Sequence, residues 1–288
     1  MSDRRLLPDE VAAAGAFGRD GAWAVLSLRG TVRAGNEDRV RVIVGEGDGT
    51  PVAIVVADGV GGHELGEVAA EAATAAVSDV FAEGGRGSLR AQLRSAVRRA
   101  NAAVLSAQLE SRSRRMATTL TIAALGEAEA VVAHVGDTRA YRVGAREVNQ
   151  LTADHTQAAE MLRVGLLTAE EAARHPARSV LTRSLGAQPA VAVDLVSVQL
   201  SSEDALFVCS DGIWGQVERH VVQEAIAARR DPEELLEGLW EIAEAILARG
   251  APDNLTAAVV VPEREGLLRG GSGEMHASGR WWRRLGAR

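Results

Sequence analysis

The sequence predicts an α+β protein in which antiparallel sheet layers are covered by helices. Short β-type runs arrive in blocks, and the connections inside a block are too short for crossover helices. Helical stretches come in pairs between the blocks, so the strict βαβα alternation of a nucleotide-binding fold is missing.

The elements follow in order. Residues 1–20 are mixed in character and weakly periodic, and read as an N-terminal arm. Three β-type runs come next: "WAVLSLRG" from Trp23, "RVRVIV" from Arg39 and "PVAIVVA" from Pro51. The first helical pair spans Gly66 to Phe81, rich in alanine with Val and Phe at helical intervals, and Ser88 to Leu109, where Leu89, Leu93, Val97, Ala100 and Val104 recur at helical spacing. A second strand block, "ATTLTIAAL", "EAVVAHV", "TRAYRV" and "REVNQL", runs from Ala117 to Leu151. A polar, weakly helical segment over 156–178 interrupts the pattern before strands resume at "VAVDLVSVQL" and "DALFVCS". Helices near Arg219–Ala228 and Pro232–Arg249 precede a last strand, "NLTAAVVV". The reading is one domain over 21–262, without internal repeats, followed by a Gly/Arg-rich tail over 263–288 that reads as a disordered terminus. Trp281 and Trp282 beside Arg283 and Arg284 leave a docking or membrane-surface role open for that tail.

Composition narrows the function. The 288 residues are 47% hydrophobic and 25% charged, as in ordinary soluble domains. A net charge of −7 argues against general nucleic-acid binding, which needs a cationic surface. All 32 basic residues are arginine, which removes lysine Schiff-base and phosphate-loop chemistry. Cys209 is the only cysteine, so no disulfide forms within the chain and a reducing compartment fits. No apolar run is long enough to span a bilayer and the N-terminus lacks a secretory pattern, so a cytoplasmic protein is expected.

The chemistry lies in carboxylates at strand ends. Asp58 follows an apolar run and opens "DGVGG"; "FVCSDGIWG" repeats the arrangement at Asp211. Glu37 and Asp38 in "GNEDR" stand before a strand, Asp253 in "GAPDNLT" enters the last one, and Asp137 lies in "AHVGDTRAY" between two. Each alone also reads as a turn residue, since Asp-Gly and Asp-Asn favour turns. Converging at one end of a sheet sandwich, they would repel one another by several kcal/mol per close pair unless cations intervened. An oxygen-only donor set suits Mg²⁺ or Mn²⁺ better than Zn²⁺. Two such ions would lower the pKa of a shared water and aim it at phosphorus. The glycines after Asp58 let the backbone approach a metal, and Arg33 is the nearest cation for a phosphate.

The motifs "RAGNED" (33–38), "ADGVGGHELGE" (57–67), "ATTL" (117–120), "HVGDTRAY" (134–141), "LTADH" (151–155), "LTRSLG" (181–186), "CSDGIWG" (209–215) and "PDNLT" (252–256) occur in the order found in metal-dependent 2C-type (PPM family) serine/threonine protein phosphatases, which the chain resembles over about 25–260. Bacterial members are the most similar. The resemblance implies a four-layer α-β-β-α sandwich of two antiparallel sheets flanked by helix pairs. It implies Mn²⁺ or Mg²⁺, two ions in the core site and a third near Asp137. By it Asp58 bridges the two core ions with the Gly59 carbonyl beside it, Asp38, Asp211 and Asp253 complete the direct ligands, and Glu37 acts through water. Asp137 with Asp211 matches the third-metal position, and Arg33 matches the phosphate-binding arginine. The 156–178 segment falls where these enzymes carry a flap. Eukaryotic members place a His two residues after the bridging Asp; Val60 stands there instead. His63, three residues further on, is a candidate for contacting substrate or an ordered water, a structural hydrogen bond being the other reading. The implied activity is hydrolysis of phosphoserine and phosphothreonine in proteins without a phosphoenzyme. The implied partners are phosphoproteins and a serine/threonine kinase, without nucleic acid or a transmembrane segment, and a monomer is expected.

Alternatives are weaker. A cysteine-dependent phosphatase needs an arginine-bearing loop directly after its thiolate, but Cys209 sits in an apolar run with Gly215 six residues on. A dinucleotide fingerprint would put its third glycine at Glu64. A phosphatase-like sensor would have lost its acidic ligands, and Asp38, Asp58, Asp211 and Asp253 are all acidic.

Overall fold

The computed structural model describes residues 11–18, 21–43, 53–60, 64–84, 87–112, 116–126 and 129–262. The carboxyl-terminal tail and His63 lie outside them.

One sheet has the order β1 (Val11–Gly18), β2 (Gly21–Leu28), β12 (Leu255–Val261), β11 (Ala205–Cys209), β8 (Arg139–Val143) and β9 (Val148–Gln150). The other runs β10 (Asp194–Val198), β7 (Ala130–Val135), β6 (Leu120–Leu125), β4 (Ala53–Val60) and β3 (Asp38–Ile43), and the short β5 (Ala117–Thr118) pairs with the end of β4. Every pairing in both sheets is antiparallel. Helices α1 (Glu64–Ala82) and α2 (Leu89–Ser111) cover the second sheet, and α6 (Arg219–Ile226) and α7 (Pro232–Leu247) cover the first.

Strand alternation makes the four layers. In β4, Ala53, Val55 and Ala57 face the helices, packing with Ala69, Ala73 and Val77 of α1. Ile54 and Val56 point the other way, toward Leu206, Val208, Ala258 and Val260 of the facing sheet. In β12, Ala257, Val259 and Val261 turn to α7 while Ala258 and Val260 turn inward. A strand buried on both faces needs apolar residues at every position, which is why these segments read as unbroken apolar runs. Each buried Val or Ile contributes about 1.5–3 kcal/mol by leaving water.

The alanine-rich face of α1 lets it lie close to the sheet. Helix α2 starts at Ser88, whose side chain accepts from the Ala91 N–H, and α7 starts at Asp231, which accepts from the Glu233 N–H, with Pro232 in the first turn. Between β9 and β10 the chain leaves the sandwich as two short helices, α3 (Gln157–Arg163) and α4 (Ala169–Arg174). Thr156 caps α3 and Thr168 forms a capping box with Glu171 on α4. A bridge between Thr156 and Leu181 closes the base of this flap. The remaining helix, α5 (Asp211–Trp214), is a single turn after β11.

Strand β1 lies within residues whose sequence reads only as an arm. "VAAAGAFG" lacks β-branched residues beyond Val11 and has no alternation, so its extended state comes from residue-by-residue pairing with β2, Val11 to Leu28 through Gly18 to Gly21.

Candidate active site

The site forms at one end of the sandwich, where strand ends from both sheets meet. Asp38, first residue of β3, pairs directly with Asp58 near the end of β4. Cross-strand partners share a face, so two carboxylates face each other across the ladder. Asp58 is pinned by its backbone: its N–H donates to Thr119 Oγ1 at 2.9 Å, and its carbonyl accepts from Thr119 N–H at 2.9 Å and from Thr118 Oγ1 at 2.9 Å.

The other sheet supplies Asp211 and Asp253. β11 and β12 are antiparallel neighbours, with Cys209 opposite Ala257, so the exit of one strand lies beside the entry of the other. The Asp-Gly and Asp-Asn turns close together because Gly212 has no side chain: a Cβ there would stand 1.9 Å from the Asn254 carbonyl oxygen. The glycine after Asp58 does the same work, since a Cβ on Gly59 would lie 2.2 Å from the Gly66 carbonyl oxygen and 2.7 Å from that of Glu37. Asp137 sits in the turn between β7 and β8, only 5% exposed, and its carbonyl accepts from Trp214 Nε1 at 3.0 Å.

Supporting polar residues join these pieces. Ser210 Oγ donates to Asp38 Oδ2 at 2.7 Å and accepts from the Thr256 N–H at 3.2 Å, linking β3 to β11 and β12. Asn254 accepts from the Glu37 N–H at 2.9 Å and donates to the carbonyls of Arg29 and Gly35 at 2.8 and 2.9 Å. That fastens the Arg33 loop to the Asp253 turn. Ser210, Asn254 and Thr119 are not singled out by the sequence: each stands in a short motif beside a candidate carboxylate or strand, but its partners lie far away in the chain.

A cavity of about 740 Å³ opens here, lined by Arg33, Glu37, Asp58, Gly59, Asp137, Asp211 and Asp253, with Ser179 and Leu181 from the flap exit. Asp38, 2% exposed, does not line it and is buried as the cross-strand partner of Asp58. Among the described residues lining the cavity, Arg33 alone is basic. Its Nη2 donates to Asp253 Oδ2 at 2.6 Å. Among the described residues the acidic side chains do not gather into a closed group of three around one point. They line the cavity separately, with Asp253 held by Arg33.

The electrostatics are those of charges forced together. Burial pushes the Asp38 carboxyl up to about 7, with Asp211 and Asp253 adding repulsion and the Ser210 and Thr256 hydroxyls opposing it. Burial also drives Asp58 well above its ordinary value, followed by the charges of Asp38, Asp211, Asp137 and Asp253. Asp137 rises to about 7 through burial and then Asp211. Asp211 rises to about 6 through burial and then Asp253, with Arg33 opposing. The hydrogen bond to Asp253 raises the Arg33 guanidinium further.

Asp211 lies near enough to Asp58 for its charge to raise the Asp58 carboxyl. Ionised carboxylates brought that near favour a proton or a cation between them. The candidate donors there, carboxylates and the Gly59 carbonyl, are all oxygen, a set that would suit a hard divalent ion. Cys209 does not compete as a nucleophile: it is fully buried, and that burial holds its thiol strongly protonated.

Residues 31–254 match the family model described as protein phosphatase 2C. The chain belongs to the protein phosphatase 2C family. This phosphatase is 34% identical over 241 residues to the serine/threonine phosphatase stp of Listeria monocytogenes, an alignment covering 81% of this chain and 92% of that protein. The crystal structure of the Mycobacterium tuberculosis serine/threonine phosphatase PstP/Ppp superposes with a TM-score of 0.75 at 32% identity, covering 85% of the phosphatase and all of that chain. The catalytic domain of PstP in complex with two manganese ions superposes at 0.72 with 31% identity, over 84% of this chain and 98% of that one. The chain is thus a bacterial-type protein serine/threonine phosphatase, and the sandwich of two antiparallel sheets expected from its motifs is the fold observed. Among the described residues no helix is long and apolar enough to cross a membrane.

Proposed function

We propose that this phosphatase removes phosphate from phosphoserine and phosphothreonine in proteins by direct attack of water, without a phosphoenzyme, using Mn²⁺ or Mg²⁺. The observation that carries the reading is the direct pairing of Asp38 with Asp58 across β3 and β4, with Asp211 from the other sheet lining the same cavity as Asp58. Asp58, the Gly59 carbonyl, Asp38, Asp211 and Asp253 are the residues suited to hold two ions, with Glu37 acting through water and Asp137 and Asp211 suited to a third. Bound there, the ions supply a water of lowered pKa and neutralise charge on the phosphoryl oxygens.

The remaining work belongs to side chains. Arg33 is the phosphate clamp. Its side chain is 54% exposed and, among the described residues, held at its tip by Asp253, which a phosphate can displace, and a bidentate guanidinium fits that anion. Asp58 stays in place through its three backbone hydrogen bonds, which limits reorganisation when charge develops. His63 is kept as a candidate for contacting substrate or an ordered water. The flap over 156–178 leads directly into Ser179 and Leu181, which line the cavity, and contact with protein substrates is the role assigned to it. A serine/threonine kinase acting on the same proteins is the implied counterpart.

The test is turnover of p-nitrophenyl phosphate and a phosphothreonine peptide with Mn²⁺, Mg²⁺ or EDTA, beside Asp58→Asn. Metal-dependent turnover abolished by EDTA and by the substitution is expected. Near-normal turnover by Asp58→Asn at saturating Mn²⁺ sinks the assignment.

A further inference from the structure

The acidic cavity has an apolar lip. Of the eight large apolar side chains exposed among the described residues, Val32 and Val60 line it, Val180 lies between two residues that do, and Leu162, Val164 and Leu166 belong to the flap. Val32 is 70% exposed and Val60 43%, and both line the cavity, one beside Arg33 and the other two residues after Asp58. Val180 stands between Ser179 and Leu181, which line it from the flap exit. Single exposed apolar side chains are ordinary, but a cluster at the mouth of a cleft marks a contact surface.

The exposure is built into held backbone. The Val164 N–H donates to the Glu160 carbonyl at 3.1 Å, that of Gly165 to Leu162 at 3.0 Å and that of Leu166 to Met161 at 2.9 Å. Gly165, at φ +76°, ends α3 in the left-handed region and turns Val164 and Leu166 outward, 58% and 72% exposed. The Val180 carbonyl accepts from the Gln157 N–H at 2.9 Å.

We infer that this lip is a subsite for the polypeptide flanking the phosphorylated residue, selecting apolar neighbours and rejecting acidic ones. The inference rests on the phosphatase reading above and names the substrate class: phosphoserine or phosphothreonine set among residues such as Val, Leu and Ile. The occupant follows from continuity with the cavity. Phosphoserine and phosphothreonine side chains are short, so with phosphate at Arg33 the peptide backbone lies at the mouth and neighbouring side chains meet Val32, Val60 and Val180. Rejection of acidic flanks follows from charge: Glu37 and Glu67 line the same cavity as the aspartates, and Arg33 is committed to the phosphate.

The experiment uses three phosphothreonine peptides, identical except for Val/Leu, Ser/Gly or Glu flanks, with p-nitrophenyl phosphate as the substrate without flanks. In the full-length protein with Mn²⁺, kcat/KM for the apolar peptide is expected about 10-fold above the Ser/Gly peptide, with the acidic peptide lowest. Val32→Thr/Val60→Thr, which keeps the side-chain shape, reduces the apolar preference to about 3-fold or less. Val164→Thr/Leu166→Ser on the flap gives a second reading independent of the first pair. A flat peptide panel with intact p-nitrophenyl phosphate turnover overturns the subsite alone. A preference that survives in both double variants also overturns it. Absence of turnover on p-nitrophenyl phosphate with any metal overturns the phosphatase reading on which it rests.

Discussion

Asp38→Asn should make the metal-free protein more stable while removing its activity. Raising a carboxyl from 3.8 to about 7 corresponds to roughly 4 kcal/mol held against its ionised form at pH 8. Burial is the largest cause and the Asp211 and Asp253 charges add to it, so one substitution relieves only part of the total. Asparagine keeps an oxygen that accepts from Ser210 and buries a neutral amide in place of a charge. A net gain of about 1–3 kcal/mol is expected in EDTA, at about 2–4 °C in Tm per kcal/mol for a domain of this size. The sign with pH follows from linkage: between 3.8 and about 7 the folded carboxyl holds a proton that the unfolded one has lost, so wild-type stability falls as pH rises through that window. The gap between variant and wild type is therefore widest above pH 7 and closes towards pH 4. Mn²⁺ reverses the order, because an ion at 100 times its Kd stabilises the wild type by about 2.7 kcal/mol and the variant by less. The assay is thermal and urea unfolding of both proteins at pH 5 and pH 8, in EDTA and in Mn²⁺. A variant less stable than wild type in EDTA at pH 8, or an equal Mn²⁺ shift in both, refutes the reasoning.

Arg33→Ala is expected to raise KM for p-nitrophenyl phosphate about 10-fold with a smaller loss in kcat, because it removes one exposed charge-assisted contact; an unchanged KM removes Arg33 from the site. His134 is buried between Thr121 and the Ala153 carbonyl, and burial pushes it down to about 3, so the stability it supports is full above 6.5 and lost as pH falls from 6.5 toward 3, at up to about 1.4 kcal/mol per pH unit. The difference in unfolding free energy between wild type and His134→Asn over that range checks it, and a pH-independent difference refutes it. Gly212→Ala drives a Cβ into the Asn254 carbonyl, which is backbone and cannot swing aside, so turnover is expected to fall at least 100-fold together with Tm; normal turnover would show that Asp211 and Asp253 need no such close approach.

Much of the candidate site was legible as motif. Asp58 and Asp211 announce themselves because an apolar run ending in Asp-Gly is the same signal twice, and a strand buried on both faces leaves its first polar residue at the rim. Val55, Val208 and Val259 were legible as strand core for the same reason. The single-turn helix α5 was not, since four residues carry no period, and neither was β1, whose alanines and glycines have no strand preference of their own. Ser210, Asn254 and Thr119 were invisible as supports because their roles depend on partners far away in sequence, such as the 172 positions between Ser210 and Asp38.

Apart from β1 and α5, the residues alone determined the element order, the two-sided burial of the strands and the acid-rich loops, because period, turn chemistry and composition are local properties of the chain. They also limited the candidate donors to oxygen and pointed to the core for the free cysteine. Only the tertiary structure decided that Asp38 faces Asp58, that Asp253 is held by Arg33 and that Val32 and Val60 stand exposed at the cavity. Those facts depend on strand register and sheet order, which arise when distant segments compete to bury their apolar faces, and register is not written in any one segment.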